Sequence, residues 1–165
     1  GVVISRKHSG VFVRQLGWVE VQDLYQLRSL LDGFAGRTAA QLPKKDRDGL
    51  VKFLVSTTSS MRDALKSADA NRYYAENLRF HWAIVEAAGN VQMAEIYRGI
   101  VQKLHISRLK NLSGNSGRKA SIAEHQTIVR ALRQGDFAQT EILMARHVDE
   151  ALVRLEETSQ LETAI

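Results

Sequence analysis

The sequence predicts an all-α protein, an antiparallel bundle of six helices behind a short β-hairpin. Three observations carry that expectation. Proline occurs once in 165 residues and aromatic residues make up 7%, a composition that favours helices over a sandwich or barrel. From Leu24 onward, apolar residues recur at three- and four-residue spacing. Two pairs, Gly89-Asn90 and Gly135-Asp136, each read as a helix stop followed at once by a new N-cap.

The elements follow in order. Residues 1–16, "GVVISRKHSGVFVRQL", alternate β-branched and polar residues on both sides of "KHSG". That pattern predicts two short strands with a turn at Ser9-Gly10. An isolated hairpin is marginal in water, so this one reads as the end of a larger unit that begins upstream. Leu24, Leu27, Leu31, Phe34 and Ala35 form the stripe of a first helix. It should end at Leu42, because Pro43 disfavours a helical residue before it. Residues 45–67 make a more polar second helix, with Leu50, Phe53, Leu54, Met61 and Leu65 inward. Asp69 caps a third helix running to Ala88. A fourth carries Met93, Ile96, Ile100, Val101 and Leu104. "NLSGNSGRK" (111–119) is the one clear loop. A fifth helix spans about 119–133, a sixth about 137–157, and the tail "TSQLETAI" is expected to fray. Short connections imply antiparallel neighbours.

Composition narrows the functional classes. Hydrophobic residues are 44% and charged residues 25% of a chain with no cysteine. That suits one domain with a sizeable core and excludes disulfides, thiolate metal sites and cysteine nucleophiles. No signal peptide, lipidation motif or membrane-spanning run is recognisable, so a cytoplasmic protein without membrane contact is the simplest expectation. The net charge of +5 permits contact with anions. The basic residues are interleaved with acids, however, and a solvated face accounts for most of them. The glycine-rich "SGNSGR" lacks the P-loop lysine and hydroxyl, and no nucleophile elbow is present.

The residues that can carry chemistry are histidines on apolar faces. Asn77 and His81 are four apart on one face that continues through Ile84 and Ala88. His125 sits in the stripe Ile122, Ile128, Val129, Leu132, and His147 lies among Leu143, Met144 and Ala151. One histidine on such a face is more often a hydrogen-bonded core residue. Three on separate helices, one paired with an amide, form a candidate metal site: imidazole suits zinc, nickel and iron, and asparagine adds a carbonyl oxygen. Open positions on the ion would take water or a carboxylate. Arg28 lies between Leu24, Leu31 and Ala35 on the inward face of the first helix. A buried guanidinium needs an anion, and two remain open at this point: a ligand carboxylate gripped by the planar fork, or an internal acid such as Asp32.

Four stretches resemble one family. "DLYQLRSLLDGFAGRTAA", "NLRFHWAIVEAAGN", "GRKASIAEHQTIVRALRQGD" and "AQTEILMARHVDEAL" are similar, in order, to segments of the effector-binding FCD domain of GntR-superfamily transcription regulators, FadR branch. The resemblance covers residues 19–157. It implies an FCD-like bundle over 19–160 that binds effector and dimerises. It also implies that residues 1–16 are the wing hairpin of a winged helix-turn-helix domain whose reading helix is absent from this chain. The family's metal ligands correspond to Asn77, His81, His125 and His147, with Asn77 where many members have aspartate, a change that removes a negative charge. The implied metal is zinc, nickel or manganese, the implied effector a small organic acid held at its carboxylate by Arg28, and the implied assembly a homodimer that contacts DNA only through the missing winged-helix domain. The chain is then a sensor rather than an enzyme. The rival readings are a mononuclear metal-dependent enzyme using the three histidines to activate water, and a helical interaction domain with no ligand.

Overall fold

Each helix begins and ends where the chain supplies a reason. The computed structural model describes residues 3–6, 10–13, 16–105, 107–108 and 115–163, the first two stretches by backbone alone. The described residues form α1 (Trp18–Ala40), α2 (Lys44–Lys66), α3 (Ala70–Ala87), α4 (Val91–Lys103), α5 (Asn115–Gln134) and α6 (Phe137–Thr163). The carboxylate of Asp69 accepts from Arg72 N–H at the start of α3, the side chain of Asn90 from Met93 N–H at α4, and that of Asp136 from Gln139 N–H at α6. These are the expected N-caps, each meeting an orphan donor of a first turn. Gly89 and Gly135 take φ of +68° and +71°, the left-handed stops that the two glycine pairs predict. Backbone pairing joins β1 (Val3–Arg6) to β2 (Gly10–Val13) as an antiparallel ladder with Arg6 opposite Gly10. Gly10 therefore opens the second strand, and Ser9, the other half of the expected turn, lies outside the described residues.

The helices close into a ring. α1 packs on α6, α6 on α5, α5 on α2, α2 on α3, and α3 back on α1, with α4 laid against α1 and α3. Two apolar clusters fill it. The larger includes Ala35, Leu54, Met61, Phe80, Ile84, Leu132 and Met144, and the smaller Val21, Tyr25, Ile100, Leu104, Val148 and Leu155. Along α1 the buried residues pass from Val21 and Tyr25, through Arg28 and Asp32, to Ala35 and Ala39. Along α6 they pass from Met144, through His147, to Val148, Ala151 and Leu155. A polar layer thus separates two dry ones.

Four expectations are corrected. Leu27 and Phe34 are 51% and 46% exposed, because the buried face of α1 is instead built of small and polar residues that let α6 approach. A Cβ at Gly36 would stand 2.7 Å from Met144 Cγ, so apolar bulk on that face is sterically excluded. Phe53 and Ile96, assigned to inward stripes, are exposed as well. α5 starts at Asn115, inside the expected loop; Tyr73 O–H donates to the Arg118 carbonyl at 3.0 Å, and this tertiary anchor overrides the local glycine. α6 runs on to Thr163 instead of fraying after 157, with Thr158 O–H donating to Arg154 C=O.

Candidate metal and effector site

α3, α5 and α6 each place one imidazole in the polar layer, as their apolar stripes require. His81, His125 and His147 are all buried, and one ring nitrogen of each lies within 4.8 Å of the others. Their second contacts differ. His81 Nδ1 is 2.9 Å from Asp32 Oδ1, and His147 Nδ1 is 2.6 Å from Glu124 Oε2. A carboxylate offers only lone pairs, so each Nδ1 carries the proton and donates it. Each Nε2 is then a bare lone pair, and the two face one another at 3.1 Å. Two lone pairs so placed repel unless a cation lies between them. Two nitrogens bound at adjacent positions of one ion, with bonds of about 2.0–2.1 Å, stand roughly 2.9–3.4 Å apart. His125 stacks on Phe80 with ring centroids 4.1 Å apart, and neither of its buried nitrogens has a hydrogen-bond partner. An orphaned buried imidazole beside a facing pair fits a group that accepts three nitrogen lone pairs.

The electrostatics hold the rings neutral. Burial first, then Arg28, brings His81 well below the usual imidazole range, and burial followed by His147 does the same to His125. For His147, burial lowers the pKa against the raising influence of Glu124. Neutral imidazole is the form a metal needs. Burial works against the Glu124 carboxylate too, but hydrogen bonds from His147 and Arg154 outweigh it and bring its pKa to about 2. Arg154 holds Glu124 with both terminal nitrogens, at 2.7 and 3.1 Å.

Arg28 meets the internal acid. Its Nε lies 3.1 Å from Asp32 Oδ2 and 3.3 Å from the Tyr97 hydroxyl, which in turn donates to Asp32. Asp32 therefore takes hydrogen bonds from Tyr97 and His81 and an ion pair from Arg28, although burial raises its pKa against the pull of Arg28. Arg28 also lines a cavity of about 20 Å³ shared with Asn77, His81, Arg108, His147 and Arg154. That is room for about one water. Asn77, the fourth expected ligand, is on this wall, but its Oδ1 accepts from Arg108 Nη2 at 2.8 Å.

Asp32 is the internal acid expected as a possible partner of Arg28; Tyr97, Glu124, Arg154 and Arg108 are the site residues that the motifs did not single out. Asp32 is one turn from Arg28, and Arg154 is two turns from His147 on the same face, so both leave a spacing signal. Glu124 leaves none: it adjoins His125 in sequence and serves His147 across the helix pair.

Residues 23–150 match the FCD domain family. The chain is 27% identical over 148 residues to the "Probable D-xylose utilization operon transcriptional repressor" of Paenarthrobacter nicotinovorans, covering 90% of this chain and 63% of that protein. It is 26% identical over 145 residues to the "Uxu operon transcriptional regulator" of Escherichia coli K12, covering 85% and 55%. The chain thus spans somewhat over half the length of these curated relatives, which are regulators and not enzymes. Among solved structures, E. coli McbR/YncC superposes with a TM-score of 0.81 at 15% identity over 94% of this chain and 77% of that one. The metal-free FCD domain of TM0439 superposes at 0.71 and 15% identity, over 90% of this chain and 99% of that one; at such identity the likeness concerns the fold. With the family match spanning most of the helical bundle, the chain belongs to the FCD domain family, the effector-binding domain of GntR-type transcription regulators.

Proposed function

We propose that the chain is the ligand-sensing and dimerising domain of a cytoplasmic GntR-type regulator. His81, His125 and His147 hold a divalent zinc, nickel or manganese ion, and a small carboxylate effector binds beside it. The observation that carries this reading is the pair of Nε2 lone pairs facing at 3.1 Å, with the unpartnered imidazole of His125 alongside. A bound divalent ion supplies a Lewis-acidic anchor for an anionic oxygen. Asp32 and Glu124 fix the rings that would hold it, in the carboxylate–histidine arrangement that orients metal ligands. Asn77 is a ligand only if it leaves Arg108, so the three imidazoles carry the site.

The charge around the cavity supports an anion. Arg28, Arg108 and Arg154 line it, against two carboxylates, Asp32 and Glu124. Arg28 keeps its terminal nitrogens for the effector, since among the described residues only its Nε is engaged. A cavity of about 20 Å³ holds no organic acid without displacement of its walls. Those walls come from α1, α3, α5, α6 and the stretch that carries Arg108, so occupancy and helix position are coupled. Such coupling is what a ligand that shifts an equilibrium requires. Exposed Leu27, Leu30 and Phe34 form a stripe on α1, and a second copy of the chain in a two-fold dimer suits an apolar patch of that kind. The β1–β2 ladder reads as the wing of a DNA-binding domain upstream, through which alone the protein would contact DNA.

The test is elemental analysis of untagged protein beside a His81→Ala/His147→Ala variant. About one ion per chain in the first and none in the second is the expected result for a three-imidazole site. No ion in either, after incubation with zinc, nickel or manganese, removes the metal from the reading.

A further inference from the structure

Three guanidiniums line the cavity, and their partners are unequal. Arg28 has Asp32 and Arg154 has Glu124. Arg108 is only 3% exposed, and among the described residues no carboxylate pairs with it. Its contacts are the neutral Asn77 oxygen and the face of Tyr74, 5.5 Å from the ring centroid. Its Nη1 is buried with no partner, and so is the hydroxyl of Tyr25 on the same cavity wall. Burial first, then the Arg28 guanidinium, lowers the pKa of Arg108. A buried charge left without a counter-ion is costly. A protein that keeps one has a place for an anion that is not its own.

The geometry points to a second anionic subsite formed by Arg108 Nη1 and the Tyr25 hydroxyl, so that the effector is a small dicarboxylate. One carboxylate lies beside the histidines and Arg28, the other on Arg108. The inference rests on the effector reading above and names the chemical class of that effector. It also gives a role to Asn77, whose carbonyl oxygen holds the guanidinium through Nη2 and leaves Nη1 unengaged. An aspartate there would neutralise Arg108 internally and close the subsite; an asparagine anchors the cation and leaves its charge available.

The experiment is calorimetric titration of the zinc-loaded chain with L-malate and with 2-hydroxybutyrate, which keep the same 2-hydroxy acid head and differ in the second carboxylate. The wild type is expected to bind malate at least about tenfold more tightly, the scale of one charge-assisted contact. Arg108→Met should weaken malate by about that factor and leave 2-hydroxybutyrate within about twofold. Tyr25→Phe, which removes one hydroxyl and keeps the ring, should narrow the preference by about threefold and serves as the readout if Arg108→Met fails to fold. Equal affinity for the two acids in the wild type, or equal weakening of both in the variants, overturns the second subsite and leaves the sensor reading standing. Binding of neither acid to chain that has taken up zinc overturns both readings.

Discussion

The two ends of the polar layer differ in how completely their charges are closed. On the α1 side, Arg28, Asp32, Tyr97 and His81 form a connected set in which the carboxylate takes two hydrogen bonds and an ion pair. Across the cavity, Arg108 reaches a neutral amide and the Tyr74 ring, and among the described residues its Nη1 has no hydrogen-bond partner. Both guanidiniums are buried to nearly the same extent, 2% and 3% exposed. Burial alone therefore does not distinguish structure from function here; the presence or absence of an internal counter-charge does. The closed end holds α1 to α3 and fixes one imidazole. The open end is the one to which the proposed second carboxylate is assigned.

The comparison breaks most visibly at Asp32. Asp32→Asn keeps the volume and removes the charge, stranding Arg28 in a dry layer and leaving His81 without a fixed tautomer. Loss of one partner from a buried pair costs about 3–5 kcal/mol, and urea unfolding of the metal-free chain should show a fall of that size. A change under about 1 kcal/mol would mean that water reaches Arg28 and that the layer is wetter than its burial implies.

Metal should restore order at the centre. With free zinc at about a thousand times its dissociation constant, the folded state gains about 4 kcal/mol over chelator-treated chain. His147→Ala should abolish that difference in a thermal melt. A gain that survives the substitution would assign the ion to another site. Next in size is Glu124, which stands behind His147 as Asp32 stands behind His81 but is half-buried and shared with Arg154. Glu124→Gln should weaken zinc about 10–100-fold while the bundle stays folded, measured by competition with a chromophoric chelator. Unchanged affinity would show that His147 needs no carboxylate to present Nε2.

The sequence exposes these two ends unequally, for physical reasons. His81, His125 and His147 are legible because each interrupts an apolar stripe at helical spacing, and a polar residue there must face the interior. Arg28 is legible on the same ground, and its partner Asp32 is one turn along the same face. Glu124 and Tyr97 are not, because each acts on a residue of another helix, and cross-helix pairing leaves no local period. Arg108 follows the end of α4 in a short helical stretch with no stripe around it, so nothing marks it as buried. The same limit explains α1. Leu24, Leu31 and Ala35 do face inward, but Leu27 and Phe34 do not, and Ser29, Gly33 and Gly36 are buried instead, because close approach to α6 selects small side chains there.

The smallest predicted effect separates the two ends most cleanly, because its sign is reversed. Arg108→Met replaces an uncompensated buried cation with an unbranched apolar chain of similar length. Asn77 loses a donor, but it lines a cavity with space for a water that can take the same place. Removing charge from such a position is neutral to stabilising, here by about 1 kcal/mol, or a rise of about 2–4 °C in melting temperature for a domain of this size. Arg28→Met should do the opposite, since it leaves Asp32 as the stranded charge. A stabilised Arg108→Met chain beside a destabilised Arg28→Met chain would mean that one arginine holds the fold and the other is retained against stability for binding, the trade expected at a ligand site. If both variants lose stability alike, Arg108 is a structural residue held by Asn77 and Tyr74, and the two ends of the layer are the same kind of thing.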